Sequence, residues 1–464
     1  MWLILLSVFV CLPTAVANDD KTKQLDREFE AAASQYDQGR YAEAATKLEN
    51  LLRDVPDSFE VNELLGLVYS AQQQDTKASE HFERAVRLKP DSAAARSNLG
   101  TSLAHLGKLA AAEEEFKKAV ALEPQNYDAN HNLGELYVQA GKIAEAAHFL
   151  ERAQRVNPSS YDNSYDLALA YIQIGRTRDA RQLVHDLLKE KDVAELRNLL
   201  GQIEERDGNF VTAAKEFEIA AHANPSESNL FDWGSELLLH RTLDPAIEVF
   251  QSASERYPDS PRLAIGLGMA RYSRGNYDDA VKALLKAVDL NPSDPRTYVF
   301  LSKAFDSSPT QAEDVIQRFR HFAELQPKNA HALYYYATSL WKGRRVEDAG
   351  LDLREIEALL KRAVALDPGL AEAHQQLGNL YSDQKKYGES IPEYLQAIER
   401  NPDLADAHYR LGQAYVRTGE KERAQEQLQI YQKLRQQHMA ELDRQRAEIR
   451  QFVYSAKDAP SPKP

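Results

Sequence analysis

The side chains that could do chemistry in this sequence are its histidines, its carboxylates and one cysteine. The chain has 464 residues, among them 12 histidines and a single cysteine, Cys11. No HExxH pair, GxxxxGK[ST] loop, EF-hand loop or GxSxG turn occurs in it. His105 and His131 could approach each other from adjacent segments, or both could be solvated helix-face residues. The sequence therefore predicts no catalytic residue, no cofactor and no metal site.

The charge balance narrows the class of partner. Lys and Arg number 57 against 71 Asp and Glu, which gives a formal net charge of −14. Such a chain repels polyphosphate, and its basic residues form no stripe that would offset this. We therefore expect no nucleic-acid partner.

The first residues, "MWLILLSVFVCLPTAVAND", resemble a secretory signal peptide. An apolar run from residue 3 to 10 is followed by Pro13 and by the small-residue site Ala15-Val16-Ala17, although no Lys or Arg precedes the run. The run is shorter than the ~20 residues of a spanning helix, so we expect no stable membrane insertion. We predict a signal peptide at 1–17, cleavage after Ala17, and a periplasmic or extracellular protein; an uncleaved anchor is the alternative. Without Cys11, thiol chemistry, disulfides and cysteine-ligated zinc are excluded.

Prolines recur along the chain at a nearly constant spacing. The first four, each 34 residues from the next, are Pro56, Pro90, Pro124 and Pro158. Asp192 takes the next place, and the series continues with Pro225, Pro258, Pro292, Pro327, Pro368 and Pro402. Repetition at this period is typical of stacked repeats rather than of separate globular domains.

One unit, "NHNLGELYVQAGKIAEAAHFLERAQRVNP" at 130–158, reads as two helices. The first has one face at i, i+3, i+4 and i+7, formed by Asn130, Leu133, Gly134 and Tyr137. Gly141 suits a left-handed turn, and Pro158 stops the second helix. Gly134 and Ala146 are small where the two helices must approach closely.

These residues resemble the tetratricopeptide repeat (TPR) family. The same pattern stands, for example, as Leu65-Gly66, Tyr69, Ala78, Phe82, Ala85 and Pro90. The resemblance implies an all-α, right-handed superhelical solenoid of about twelve antiparallel helix-turn-helix repeats with a long C-terminal helix. We assign 18–25 to an N-terminal linker, 26–436 to the repeats with an insertion near 343–356, 437–455 to a capping helix extension and 456–464 to a disordered tail. The C-terminal helix either caps the stack or mediates self-association.

The resemblance also implies where a partner would bind, namely the concave face lined by the first helix of each repeat. Its middle part is apolar and aromatic, which on a soluble chain favours a binding site for a protein or peptide segment. The predicted partner-binding residues are Asn98, Asn132, Tyr165, Leu169, Phe231, Leu238, Ile265, Met269, Tyr272, Tyr334 and Trp341. Alternatively, the apolar side chains, with Ile172 among them, cover one another inside a tight superhelix, or an inserted segment fills the groove. Asn98 and Asn132 match a peptide-clamping asparagine series of some family members, which Asp166 then ends.

Because the repeats fill almost the whole chain, we expect no enzyme. The sequence favours a non-catalytic scaffold that binds protein or peptide in its concave groove. The alternative is an accessory subunit of an envelope machine for polysaccharide synthesis or export, or for outer-membrane assembly.

Overall fold

The computed structural model describes residues 16–308, 311–344 and 353–458, and the side chains of 21–308, 311–343 and 353–439. These residues form 24 α-helices and no strand, so the all-α repeat fold is confirmed. Most of the predicted signal peptide, the core of the insertion near 343–356 and most of the predicted tail lie outside the described residues. None of the described helices is both long and apolar enough to cross a membrane.

The helices follow one another with short connections. In chain order they are α1 Val16–Asp37, α2 Tyr41–Asp54, α3 Phe59–Ala71, α4 Asp75–Leu88, α5 Ala93–His105, α6 Leu109–Leu122, α7 Tyr127–Gln139, α8 Ile143–Val156, α9 Tyr161–Gln173, α10 Thr177–Glu190, α11 Ala194–Arg206, α12 Phe210–Ala223, α13 Glu227–Leu239, α14 Leu243–Arg256, α15 Pro261–Arg274, α16 Tyr277–Leu290, α17 Pro295–Ser307, α18 Ala312–Leu325, α19 Ala330–Arg344, α20 Leu353–Leu366, α21 Ala371–Asp383, α22 Tyr387–Arg400, α23 Ala405–Thr418 and α24 Lys421–Asp458. Odd-numbered helices are the first helices of the repeats and even-numbered ones the second.

The backbone divides into two compact units, the first ending at Lys191 and the second starting at Asp192. Unit 1 holds α1–α10 and unit 2 holds α11–α24. Within each unit a helix packs against its successor, and first helices also pack against the next first helix, as α5 does against α7. Each unit therefore buries its apolar faces between sequence neighbours, as stacked repeats do.

Polar caps start most first helices after the predicted proline stops. In each case a side-chain oxygen accepts a hydrogen bond from a backbone N–H of the first turn. The capping residues are Ser58, Ser92, Asn126, Ser160, Ser226, Ser260 and Asp294. The proline stop and the polar cap together define where one repeat ends and the next begins.

Glycines set the distance between the two helices of a repeat. A Cβ added at Gly134 would lie 2.7 Å from the Leu150 side chain, and Ala146 is fully buried, as the predicted close approach requires. Gly141 has φ +72°, so the predicted left-handed turn is confirmed. In several other repeats an aromatic ring of the second helix packs over the glycine, as Phe116 does over Gly100.

The two ends of the chain differ from a simple repeat. Residues 18–25, which we expected to form a linker, lie inside α1 and are helical. Residues 437–455 belong to α24, which is continuous for 38 residues from Lys421. Leu428 of α24 packs over Gly412 of α23, so α24 begins as an ordinary second helix.

Candidate functional site

The eleven predicted partner-binding residues all lie on first helices, and all are partly buried. Four of them, Asn98, Asn132, Tyr165 and Leu169, belong to unit 1, and the other seven belong to unit 2. Ile172, which was expected among the apolar side chains of the concave face, is only 4% exposed and belongs to the core. The predicted residues are therefore divided between the two units.

In unit 1, side chains of consecutive first helices meet at three recurring positions. Asn132, the sixth residue of α7, donates hydrogen bonds from Nδ2 to Thr101 Oγ1 at 3.1 Å and to Ser97 Oγ at 3.5 Å. Ser97 and Thr101 are the fifth and ninth residues of α5. We call this arrangement, residues five and nine of one first helix with residue six of the next, an inter-repeat triad.

One repeat further on, the triad consists of His131, Glu135 and Asp166. One ligand-type atom from each side chain lies within 4.8 Å of the others, and His131 Nε2 is 3.9 Å from Glu135 Oε1. Burial raises the pKa of the Asp166 carboxyl above its usual range, and the nearby Glu135 carboxylate adds to this. Among the described side chains, no Lys or Arg forms an ion pair with Asp166. Two carboxylates and an imidazole thus share one partly buried site.

The His131 ring is held in one orientation by polar and aromatic contacts. Its Nδ1 lies 3.2 Å from Asn163 Oδ1. Asn163 uses Nδ2 to donate to Leu150 O at 3.1 Å and to Gln154 Oε1 at 2.7 Å, so its Oδ1 is the acceptor. His131 Nδ1 must therefore carry the proton that it donates, while the ring stacks on Tyr127 at 5.5 Å and 12°. This leaves Nε2 directed towards Glu135.

The other histidine considered from the sequence has a different partner. His105 Nδ1 lies 3.0 Å from Asp75 Oδ1 of α4. No hydrogen bond joins His105 to His131 in the part of the chain whose side chains are described. Each ring instead contacts a polar neighbour of its own: Asp75 lies beside His105, and Asn163 lies beside His131.

In unit 2, a pocket of about 270 Å³ opens on the first helices α17, α19, α21 and α23. Ten residues line it, namely Asp306, Tyr334, Thr338, Trp341, Lys342, Gln376, Asn379, Asp383, Asp406 and Arg410. We call it the aromatic pocket. It contains the predicted residues Tyr334 and Trp341, and one of its walls is an inter-repeat triad of Tyr334, Thr338 and Gln376.

Charged side chains surround the aromatic pocket and are largely paired. Lys342 Nζ lies 2.9 Å from Asp306 Oδ1, and Arg410 Nε lies 3.8 Å from Asp406 Oδ2. Burial raises the pKa of the Tyr334 hydroxyl, which is therefore neutral and available as a donor at physiological pH. The pocket thus offers an aromatic wall and both signs of charge, which suits recognition of a side chain.

The remaining predicted residues of unit 2 lie outside this pocket. Tyr272 packs against the same apolar cluster as Tyr334 and Trp341, whereas Phe231 and Leu238 pack against a second cluster around Phe250. Phe231 is also covered by the Arg262 guanidinium, 4.8 Å from its ring centre. Ile265 and Met269 are partly buried on α15. The structure therefore brings together only some of the predicted partner-binding residues of unit 2.

The set of predicted partner-binding residues leaves out the titratable members of both sites. His131 and Glu135 stand four residues apart on one helix, and Asp166 follows one repeat later. Asp306, Lys342 and Arg410 belong to three different first helices. The structure shows that residues at positions five, six and nine of consecutive first helices meet, and with this knowledge the repeat register locates them in the sequence.

Comparisons with known proteins agree with this architecture. Models described as tetratricopeptide repeat match residues 29–93, 76–129, 103–159, 139–203, 231–295 and 406–438, and one described as TPR repeat matches 378–419. Together they cover more than half of the chain.

Individual proteins resemble shorter stretches. "TPR repeat-containing protein YpiA" of Bacillus subtilis (strain 168) is 26% identical over 164 residues, which are 32% of this chain and 37% of that protein. A tetratricopeptide repeat protein from Parabacteroides merdae ATCC 43184 superimposes with a TM-score of 0.42 at 18% identity, covering 53% of this chain and 98% of that one. PilF of Pseudomonas aeruginosa gives a TM-score of 0.40 at 20% identity, covering 45% and 96%.

The repeat models, the paired helices and the packed glycines point to one family. The chain belongs to the tetratricopeptide repeat family, whose repeats generally form a non-catalytic scaffold for protein interactions.

Proposed function

We propose that this protein is a non-catalytic scaffold that holds a segment of a partner protein against the first helices of unit 2, with the aromatic pocket as its anchor point. The observation that carries the proposal is the pocket itself, which presents Trp341 and Tyr334 between charged side chains of four repeats. Aromatic side chains in a partly enclosed pocket are the usual hot spots of protein interfaces.

The chemistry of the pocket indicates what the partner segment presents. An apolar or aromatic side chain would contact Trp341 and Tyr334, because burying it removes apolar area from water. Flanking charges of either sign would meet Lys342 and Arg410 or their acidic partners, and would fix the orientation of the segment.

The other predicted residues extend the contact. In unit 2, Tyr272, Phe231, Leu238, Ile265 and Met269 offer partly buried apolar surface along α13 and α15. An extended or helical segment can use such a surface on either side of its anchor.

Unit 1 offers a separate and more polar surface. There Asn98 and Asn132 provide amide groups, and Tyr165 and Leu169 provide apolar contacts on α9. Asn132 already donates to two hydroxyls of α5, so we assign it a smaller role in binding.

The test is a photo-crosslinking amino acid placed at Trp341 in the full chain, followed by identification of the captured segment by mass spectrometry. The binding constant of that segment is then measured with wild type and with Trp341→Ala. We expect affinity to fall by at least about tenfold, as for a hot-spot side chain that contributes more than about 1.4 kcal/mol.

Leu395→Ala is the matched control, since Leu395 is an exposed apolar residue on the second helix α22. It should leave the affinity unchanged. Equal binding by wild type and by a folded Trp341→Ala variant would remove the aromatic pocket from the proposal. A captured enzyme of glycan synthesis or a protein of outer-membrane assembly would assign the accessory role in the envelope.

We infer further that residues 1–17 direct export. The support is the apolar run followed by the small-residue site ending at Ala17. Cell fractionation with N-terminal sequencing tests this, and a protein that starts at Asn18 outside the cytoplasm is the expected result.

A further inference from the structure

The inter-repeat triad of His131, Glu135 and Asp166 differs in chemistry from the triad before it. The preceding one consists of Ser97, Thr101 and Asn132, which are neutral and satisfy one another by hydrogen bonds. In the next repeat the same three positions carry an imidazole and two carboxylates, all of them metal-ligand types. We propose that this triad binds one divalent transition-metal ion, Zn²⁺ above all, through His131 Nε2 and one oxygen each of Glu135 and Asp166.

The distances are close to those that a zinc site needs. Tetrahedral zinc with bonds of about 2.0–2.1 Å holds its ligand atoms about 3.3 Å apart. Here the three ligand atoms lie within 4.8 Å of one another, and the His131–Glu135 pair is at 3.9 Å. Because the Glu135 side chain is 49% exposed, it has room to change rotamer and shorten its distance to His131 Nε2.

The histidine is already prepared as a ligand. Metal-bound histidines generally donate their other ring N–H to a fixed acceptor, which sets the tautomer and the ring plane. Asn163 is that acceptor for His131. Asn163 is itself oriented by Gln154, whose Nε2 donates to Pro158 O at 3.0 Å, so the chain of contacts ends on the backbone.

The charges of the site also favour a cation. Glu135 and Asp166 bring two carboxylates together. The negative charge of Asp162 also acts electrostatically on Asp166. No Lys or Arg pairs with Glu135 or Asp166 among the described side chains. The imidazole nitrogen selects zinc and its neighbours over magnesium or calcium, which prefer oxygen ligands. Three protein ligands leave zinc one further position, which water or a partner's side chain can take.

The experiment is titration of the chelator-treated full chain with Zn²⁺, followed by isothermal calorimetry and by metal analysis after gel filtration. We expect one Zn²⁺ per chain. Asp166→Asn is the decisive variant, because asparagine stands at the same position in the two preceding repeats as Asn98 and Asn132, so the fold accommodates it. It should weaken zinc binding by at least about tenfold, and His131→Gln should do the same.

His105→Gln is the matched control, since His105 also faces a carboxylate, Asp75, but belongs to no triad of three ligand types. It should leave zinc binding unchanged. X-ray absorption of the zinc-loaded protein should give nitrogen and oxygen neighbours, including one imidazole. Absence of saturable binding to wild type, or equal binding by Asp166→Asn and by wild type with unchanged helical circular dichroism, would overturn the proposal.

Discussion

At the scale of single residues, Glu236 is a carboxyl group placed where water barely reaches it. The residue is 3% exposed on α13, and burial, together with the Glu205 carboxylate, raises its pKa to about 7. His240 Nε2 lies 3.4 Å from Glu236 Oε1, and burial lowers the pKa of that imidazole. Both groups are thus biased towards their neutral forms, as expected for titratable side chains in an apolar core.

We predict that Glu236→Gln stabilises the protein at alkaline pH. Because the folded-state pKa lies above the unfolded value, the folded state holds the extra proton between about pH 4.5 and pH 7, and stability falls as pH rises through this window. The glutamine amide of the variant does not titrate, so it causes no such fall in stability. Relative to wild type, the free energy of unfolding should be similar near pH 5 and higher by on the order of 2–3 kcal/mol near pH 8, as measured by denaturant unfolding.

The difference between variant and wild type removes the contributions of titratable groups that lie far from position 236. Glu195→Gln, at an exposed position of α11, is the matched control and should show no pH-dependent gain. A Glu236→Gln difference that stays constant from about pH 5 to pH 8 would show that the folded and unfolded states bind this proton equally, so that folding does not raise the pKa of Glu236.

At the scale of helices, the pairing within a repeat depends on the absence of a Cβ at one position. Gly378 of α21 faces the ring of Tyr394 in α22, and an added Cβ would lie 2.8 Å from Tyr394 Cδ1. Tyr394 is fully buried, and its hydroxyl is held by Asn379 Oδ1 at 2.8 Å and by Ser382 Oγ at 3.2 Å. The Tyr394 ring therefore cannot shift to make room for a Cβ at position 378.

We predict that Gly378→Ala lowers the free energy of unfolding by about 1–3 kcal/mol, because it overpacks the contact between α21 and α22. Gly388→Ala, in the same repeat, is the control. A Cβ there meets no atom within 4 Å, so stability should be unchanged or rise by up to about 1 kcal/mol. Thermal unfolding followed by circular dichroism compares the two, and an equal effect of both substitutions would contradict the packing argument.

At the scale of the whole molecule, stability is distributed over two units with their own cores. One apolar cluster of unit 1 runs from Ala32 to Ala146, and one of unit 2 runs from Ala280 to Tyr381. In stacked repeats each helix pair gains stability chiefly from its immediate neighbours. Neither cluster contains a residue of the other unit.

We therefore predict that residues 16–191 and residues 192–458 each fold when expressed separately. Both fragments should show helical circular dichroism and a cooperative thermal transition. A fragment without helical minima, or one that melts without a cooperative step, would mean that its core requires the other unit.

The amino-acid sequence determined the repeat architecture of this protein because its determinants are local. The spacing of Pro124 and Pro158, the turn at Gly141 and the small residues Gly134 and Ala146 each act within one helix pair, so they could be recognised without coordinates. The same holds for the polar caps, which bond to the backbone a few residues away.

The tertiary structure alone decided which side chains of different repeats meet and how far they are exposed. Ile172 shares the repeat pattern of a surface position, yet it is only 4% exposed, and the pattern of residue types alone does not record exposure. In the sequence, Asp166 ends a series of asparagines. In the structure, its carboxylate lies beside the His131 and Glu135 side chains. Contacts between residues some 30 positions apart follow from the angle at which repeats stack, and a local pattern carries no record of that angle.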